Sequence, residues 1–194
     1  MAIPKTFRNQ IITSSFPIED GEENLIQSAV RGGASAFGQL YDFYQPKIYR
    51  FILVKVGQRE EAEDLTHQVF LNAWQNIKNY RSRGFPFSSW LYRIARNQVI
   101  DYYRARREMT SIDQMDPEYF IAPAIQHFTV EKDLELEKIF GAVRKLEPVY
   151  QDVVMMRFVE DLSIKETAGA IGKSEGAVKL IQHRAIKKLQ ELIS

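Results

Sequence analysis

A chain of 194 residues with 45% hydrophobic and 26% charged residues has the make-up of one or two small folded domains rather than a disordered segment. Cysteine is absent, which excludes a disulfide framework, a thiolate metal site and a thiol nucleophile. The net charge of +1 conceals a segregated pattern, basic then acidic then basic along the chain, of the kind that suits a partner itself segregated in charge. Seven arginines face one acid, Asp101, between Tyr80 and Arg107. Eight acids face one base, Lys132, between Glu108 and Glu137, and five bases face Glu175 between Lys173 and Lys188. No apolar run reaches membrane-span length, and Met1 to Phe16 lack a signal-peptide pattern, so a soluble cytoplasmic protein is expected.

Residues 1–24 show no periodicity and hold Pro4, Pro17 and Gly21, which predicts a loose tail. From Glu23 the pattern turns helical, with Ala36, Leu40, Phe43, Tyr44, Ile48, Phe51, Ile52 and Val56 on one face and a stop at Gly57. The next helix opens on acids, Glu60 to Asp64, which favour the helix dipole. Its apolar positions are Ala62, Leu65, Val69, Phe70, Ala73, Trp74 and Ile77. A break follows from Asn79 to Phe87. Ser88 or Ser89 is expected to cap a further helix whose inner face is Leu91, Ile94, Ala95, Val99 and Tyr102.

Residues 108–134, with Pro117 and Pro123, read as an acidic linker between a domain at 25–107 and a second at 135–194. In the second, Leu134, Leu136, Ile139, Phe140 and Val143 restart a helix, and Pro148 begins another. No stretch alternates with period two long enough for a strand. The predicted fold is therefore all-α, two small helical domains joined by an acidic linker.

The run Leu162 to Lys179 has the form of a helix-turn-helix. Ser163 with Glu166 makes a capping box, Gly172 can take the left-handed turn, and Ser174 caps the second helix. Ala168, Gly169 and Ala177 are small enough for the two helices to cross closely. Val178, Ile181, Ala185 and Leu189 form the inner stripe of the second helix. Lys179, Gln182, His183, Arg184, Lys187 and Lys188 form its opposite face, which suits the DNA major groove.

Between Tyr80 and Arg107 seven aromatics (Tyr80, Phe85, Phe87, Trp90, Tyr92, Tyr102, Tyr103) interleave with the arginines. Aromatics stack on unpaired bases at about 1–3 kcal/mol per base, and arginines hold the backbone, which suits a single strand or a duplex being opened. Tyr80, Phe85 and Phe87 fall in the loop, where display for binding is the expected role; Trp90 and Tyr102 are equally readable as core.

These motifs resemble the sigma-70 family of RNA polymerase sigma factors, in its short extracytoplasmic-function group. Glu61-Ala62-Glu63-Asp64-Leu65-Thr66 and Phe70-Leu71-Asn72-Ala73-Trp74 resemble the region 2.2 helix. Ser89 to Asn97 with Asp101-Tyr102 resembles regions 2.3 and 2.4, and Val178-Lys179 with His183-Arg184-Ala185 resembles region 4.2. The resemblance implies a non-enzymatic transcription initiation factor with no cofactor and no metal. Its implied partners are core RNA polymerase (the clamp of the largest subunit and the flap of the second largest), promoter DNA and, as in many members, an anti-sigma protein.

By the same resemblance Glu61, Asp64, Leu65, Gln68, Asn72, Trp74 and Gln75 belong to the polymerase-docking helix. Tyr80, Arg81, Phe85, Phe87, Trp90, Arg93, Arg96, Asn97, Arg104, Arg106 and Arg107 serve −10 recognition and melting, with Asn97 at a position that contacts a flipped base. Lys173, Ser174, Glu175, Gly176, Lys179, Gln182, His183, Arg184 and Lys187 serve the −35 element. The chain departs from the family pattern at Pro86, Leu180 and Ile186. A stand-alone helix-turn-helix regulator is the competing expectation; it leaves the loop aromatics and the acidic linker without a role. An enzyme is disfavoured, because His67, His127 and His183 have no ligand spacing.

Overall fold

The computed structural model describes residues 21–82, 84–109 and 134–193, and the predicted tail and linker lie almost wholly outside them. Among the described residues the fold is all-α, with no strand. The helices are α1 (Glu22–Val30), α2 (Ala34–Val56), α3 (Arg59–Asn76), α4 (Phe87–Met109), α5 (Leu134–Arg144), α6 (Pro148–Val154), α7 (Ile164–Ile171) and α8 (Glu175–Ile193). A 3-10 turn, Ile77–Asn79, extends α3, and a π-helical turn, Met155–Val159, extends α6.

Helices α1 to α4 form the first unit. Leu40, Ile48, Phe51, Ile52 and Val56 of α2 pack with Ala62, Val69, Phe70 and Ala73 of α3 and Leu91, Tyr92, Ala95 and Val99 of α4. Each large apolar side chain removed from water in such a core stabilises by about 1.5–3 kcal/mol. Gly57 ends α2 as expected, its amide donating to Leu53 O at 2.8 Å.

Helix α4 differs from expectation at both ends of its pattern. It begins at Phe87, so Ser88 and Ser89 lie inside its first turn instead of capping it. Tyr92 is fully buried, its ring edge-on to Phe51 at 5.4 Å. It belongs to the inner face, with Ile94 and Tyr102 only half-buried.

Helices α5 to α8 form the second unit around Phe140, Val143, Leu146, Val153, Met156, Ala168, Ile171, Val178, Ala185 and Leu189. Pro148 takes the first turn of α6, where its missing amide costs no hydrogen bond. The two units are packed together, α4 of the first lying along α7 of the second.

Candidate nucleic-acid interface

The helix-turn-helix is built by local chemistry. Glu166 N donates to Ser163 Oγ at 3.1 Å and Ser163 N donates to Glu166 Oε2 at 2.7 Å, closing the capping box at the start of α7. Gly172 ends α7 at φ 67°, a left-handed conformation that a side chain would strain. Ser174 Oγ then accepts from Ala177 N at 3.2 Å and starts α8.

These caps leave one face of α8 open. Lys173, Ser174, Glu175, Gly176, Lys179, His183, Arg184 and Lys187 are exposed, and nothing from the first unit covers them in the contacts described. Gln182 is half-buried and accepts from Arg157 Nε at 3.1 Å, so it is tied to its own domain. Leu180 is 51% exposed in the middle of this polar face, an apolar group with water on it.

The residues assigned to −10 recognition do not share one environment. Phe87, expected on display in the loop, is instead only 2% exposed. Because α4 starts at Phe87, its side chain turns into the bundle, against Tyr44 at 5.6 Å and Trp90 at 5.3 Å. Tyr80 is half-buried between Phe87 at 5.4 Å and Trp90 at 5.1 Å, and burial pushes its phenol up to about 12. These three rings, edge-on or tilted to one another, thus form a cluster continuous with the core. Arg81 and Phe85 stay at the surface, as do Asn97, Arg104, Arg106 and Arg107 further along α4. Arg106 donates to Tyr102 Oη at 2.7 Å, and Arg104 pairs with Asp101 at 3.3 Å.

The remaining arginines meet the second unit. Arg96 Nε donates to Asp152 Oδ2 at 2.8 Å, and Lys55 Nζ donates to the other oxygen of that carboxylate at 2.6 Å. Arg50 makes a two-pronged contact with Glu160, Nε to Oε1 at 2.7 Å and Nη2 to Oε2 at 3.0 Å. Arg93 donates to Gly169 O, with its Nε at 3.2 Å. Ser88 Oγ donates to Glu166 Oε1 at 2.7 Å and Ser89 Oγ to Glu166 O at 2.9 Å. The hydroxyls expected to cap α4 are therefore spent across the domain boundary.

In each of these contacts α2 or α4 gives the hydrogen and the second unit gives the oxygen. Asp152 and Glu160 are buried, and such charges are tolerable only when paired. Burial pushes the Glu160 carboxyl above its usual range although Arg50 opposes the shift. Glu166 is partly buried too, yet its hydrogen bonds from Ser163 and Ser88 hold its carboxyl below the usual range.

Gly169 also departs from expectation. A Cβ there would lie 2.5 Å from Phe85 Cδ1 and 3.0 Å from Ser89 Cβ. Its bareness makes room for the loop of the first unit rather than for the crossing of α7 and α8.

The docking residues lie on α3. Glu61, Asp64, Leu65, Gln68, Asn72 and Gln75 follow one stripe at helical spacing, with Asp64, Gln68 and Gln75 exposed and the others half-buried. Trp74 points off that stripe, its ring tilted against Phe37 at 4.9 Å, and is 38% exposed. Leu71, part of the motif but not of the expected docking set, borders the stripe and is 48% exposed. Its place in an apolar-rich run hid it, since periodicity alone does not say which apolar residue faces water.

Comparison with known proteins fits this two-unit arrangement. Residues 40–109 match the family model of Sigma-70 region 2, and residues 136–189 that of Sigma-70, region 4. The chain belongs to the sigma-70 family, in the group of ECF RNA polymerase sigma factors. It is 39% identical over 173 residues to the ECF RNA polymerase sigma factor BldN of Streptomyces coelicolor, covering 87% of this chain but 64% of that protein's length. To SigD of Mycobacterium tuberculosis it is 30% identical over 175 residues, covering 87% of this chain and 82% of the relative. Among solved structures it is similar to CnrH, solved in complex with the cytosolic domain of CnrY, with 25% identity, a TM-score of 0.68, and 89% and 96% of the two chains covered. Among the described residues no helix is long and apolar enough to cross a membrane, and no cluster of His, Asp or Glu could hold a metal.

Proposed function

We propose that the chain acts in the cytoplasm as an alternative sigma factor, a subunit without catalytic chemistry of its own that brings core RNA polymerase to a class of promoters. The observation that carries this reading is the pairing, in one chain and in family order, of a Sigma-70 region 2 with a region 4 whose recognition face is open. The exposed stripe of α3 from Glu61 to Gln75, with Leu71 and Trp74 beside it, docks on the clamp of the largest polymerase subunit. The second unit meets the flap of the second largest. The face of α8 enters the major groove at the −35 element, where Lys179 and His183 reach base edges and Arg184 and Lys187 lie near phosphates. Leu180 offers a surface for a thymine methyl.

At the −10 element Asn97 takes the flipped base, Phe85 borders its pocket, and Arg93, Arg96, Arg104, Arg106 and Arg107 hold the strands. Tyr80, Phe87 and Trp90 support the pocket from beneath. An anti-sigma protein is part of the same reading, as a regulatory partner.

Run-off transcription with core polymerase on a promoter library tests this. Lys179→Ala should weaken use of promoters that depend on the −35 element and leave strand opening intact, while Asn97→Ala should do the reverse. A purified chain that does not associate with core polymerase, yet binds duplex DNA alone, makes the protein a stand-alone regulator instead.

A further inference from the structure

Between the C-terminal half of α4 and the first turn of α6 lies a cavity of about 280 Å³, reached also by Lys55 at the end of α2. Its walls are largely apolar. Val99, Ile100 and Tyr103 come from α4, and Pro148 comes from α6. The Tyr103 ring is fixed in place, because its hydroxyl donates to Lys55 O at 2.6 Å. A wall tied down in this way loses little freedom when a ligand settles on it.

The charge of the cavity is one-sided. Four bases line it, Lys55, Arg96, Arg104 and Arg107, against one acid, Asp152. At the inner end Lys55 Nζ and Arg96 Nε donate to the two oxygens of Asp152, at 2.6 and 2.8 Å. Two cations on one carboxylate leave a positive charge over. The Lys55 side chain is 6% exposed and that of Asp152 2%, so water screens the excess poorly. A buried charge of this kind is unfavourable until a counter-charge reaches it. Arg96 gives Asp152 only its Nε, which leaves the terminal nitrogens of the guanidinium for a second acceptor. Arg104 and Arg107 are exposed and add to the pull on an anion, and the Asp101 that opposes Arg104 at 3.3 Å is an exposed, weak partner.

We propose that this cavity is a binding site for a small organic acid, a carboxylate carried on a compact apolar or aromatic body. The carboxylate pairs with Arg96 and neutralises the surplus charge at the inner end. The body lies against Val99, Ile100 and Tyr103, with Pro148 on its other side. A bare inorganic anion satisfies the charge and leaves the apolar walls wet, and a neutral apolar molecule does the reverse. Such a ligand touches α2, α4 and α6 at once, so its binding ties elements of both units together.

Equilibrium dialysis of the full chain against cinnamate tests the site. Cinnamamide keeps the body and loses the charge; acetate keeps the charge and loses the body. Cinnamate should bind about tenfold or more tightly than either. It should also raise the Tm of the chain as its concentration passes Kd. Two variants fix the location. Arg96→Gln leaves Lys55 and Asp152 as a neutral pair and should bring cinnamate down to the affinity of cinnamamide. Ile100→Trp, at a position 38% exposed, sets a larger side chain into the cavity without touching the ion pairs, and should weaken both probes alike. Circular dichroism checks that each variant keeps its helix content.

Cinnamamide binding as tightly as cinnamate removes the charge from the site and overturns the proposal. Cinnamate binding that neither variant weakens also overturns it, because the probe then sits elsewhere. Acetate or inorganic phosphate binding as tightly as cinnamate makes the cavity a plain anion site, of the kind a nucleic-acid phosphate fills, and rules out the organic acid.

Discussion

Two helices carry basic, exposed-looking faces in this sequence, α4 and α8, and the molecule treats them differently. The face of α8 is held up by local caps and left to water. The face of α4 is divided three ways: Tyr92 and Phe87 turn into the core, Arg93 and Arg96 turn to the second domain, and Asn97, Arg104, Arg106 and Arg107 remain outside. The difference follows from what each helix needs for stability. Helix α8 makes its main contacts among the described residues within its own domain and can give a whole side to DNA. Helix α4 lies between the bundle and α7, so most of its circumference is claimed.

The largest effect that would break this comparison comes from the core side of α4. Tyr92→Ala removes a fully buried ring from its contact with Phe51, and should destabilise the first unit by about 3–5 kcal/mol in urea unfolding. If the variant instead keeps its stability and loses only promoter melting, Tyr92 is a binding residue and the division of α4 is wrong.

A smaller effect sharpens the open side. If Leu180 covers a thymine methyl, replacing one thymine of the −35 element by deoxyuridine removes only that methyl. Binding by the holoenzyme should then fall roughly fourfold, from about 0.8 kcal/mol of lost apolar burial. Leu180→Ala should bind the two DNAs equally. A full thymine-to-uracil penalty that persists in Leu180→Ala removes Leu180 from the specificity set.

What the sequence shows and what it hides divide along the same line. Ser163 with Glu166, Gly172, Ser174 and Pro148 act within a turn of themselves, and each is found where its local chemistry puts it. The all-α fold and the inner stripe Val178, Ala185, Leu189 were legible for the same reason. The start of α4 was not. Ser88 and Ser89 look like caps, but their partners are 78 and 77 residues away. Arg50 finds Glu160 across 110 residues and Lys55 finds Asp152 across 97. Nothing near a cation in sequence tells whether it will meet phosphate, water or a distant carboxylate. Gly169 misled likewise: smallness in a helix says that something comes close, and only the packing says that it is Phe85.

The smallest predicted effect is a dependence on pH of closure, the packing of α2 and α4 against the second unit. Glu160 and Glu166 lie in the same interface with opposite shifts from an ordinary value of about 4.5. Glu160 is raised, by burial against the opposing pull of Arg50 and Lys47 of α2, with Tyr92 of α4 beside it. A carboxyl raised in the closed state takes up a proton more readily there, so its contribution is fully present below the ordinary value and fades as pH rises through the raised one. Glu166 is lowered by the Ser163 bonds of its own capping box and by the Ser88 bond across the interface; only the Ser88 share bears on closure, present above the ordinary value and lost as pH falls through the lowered one. At neutral pH closure therefore has all of Glu166's help and little of Glu160's. Mild acidification should first tighten the packing of the two units, read as a rise in the short-distance population of a chain labelled at Lys78→Cys and Glu191→Cys. Further acid should then release it. Glu160→Gln should remove the first change and keep the second, because only Glu166 is then left to titrate at the interface with a shifted carboxyl. If Glu160→Gln tightens with acid as the parent does, the carboxyl responsible is not in this contact.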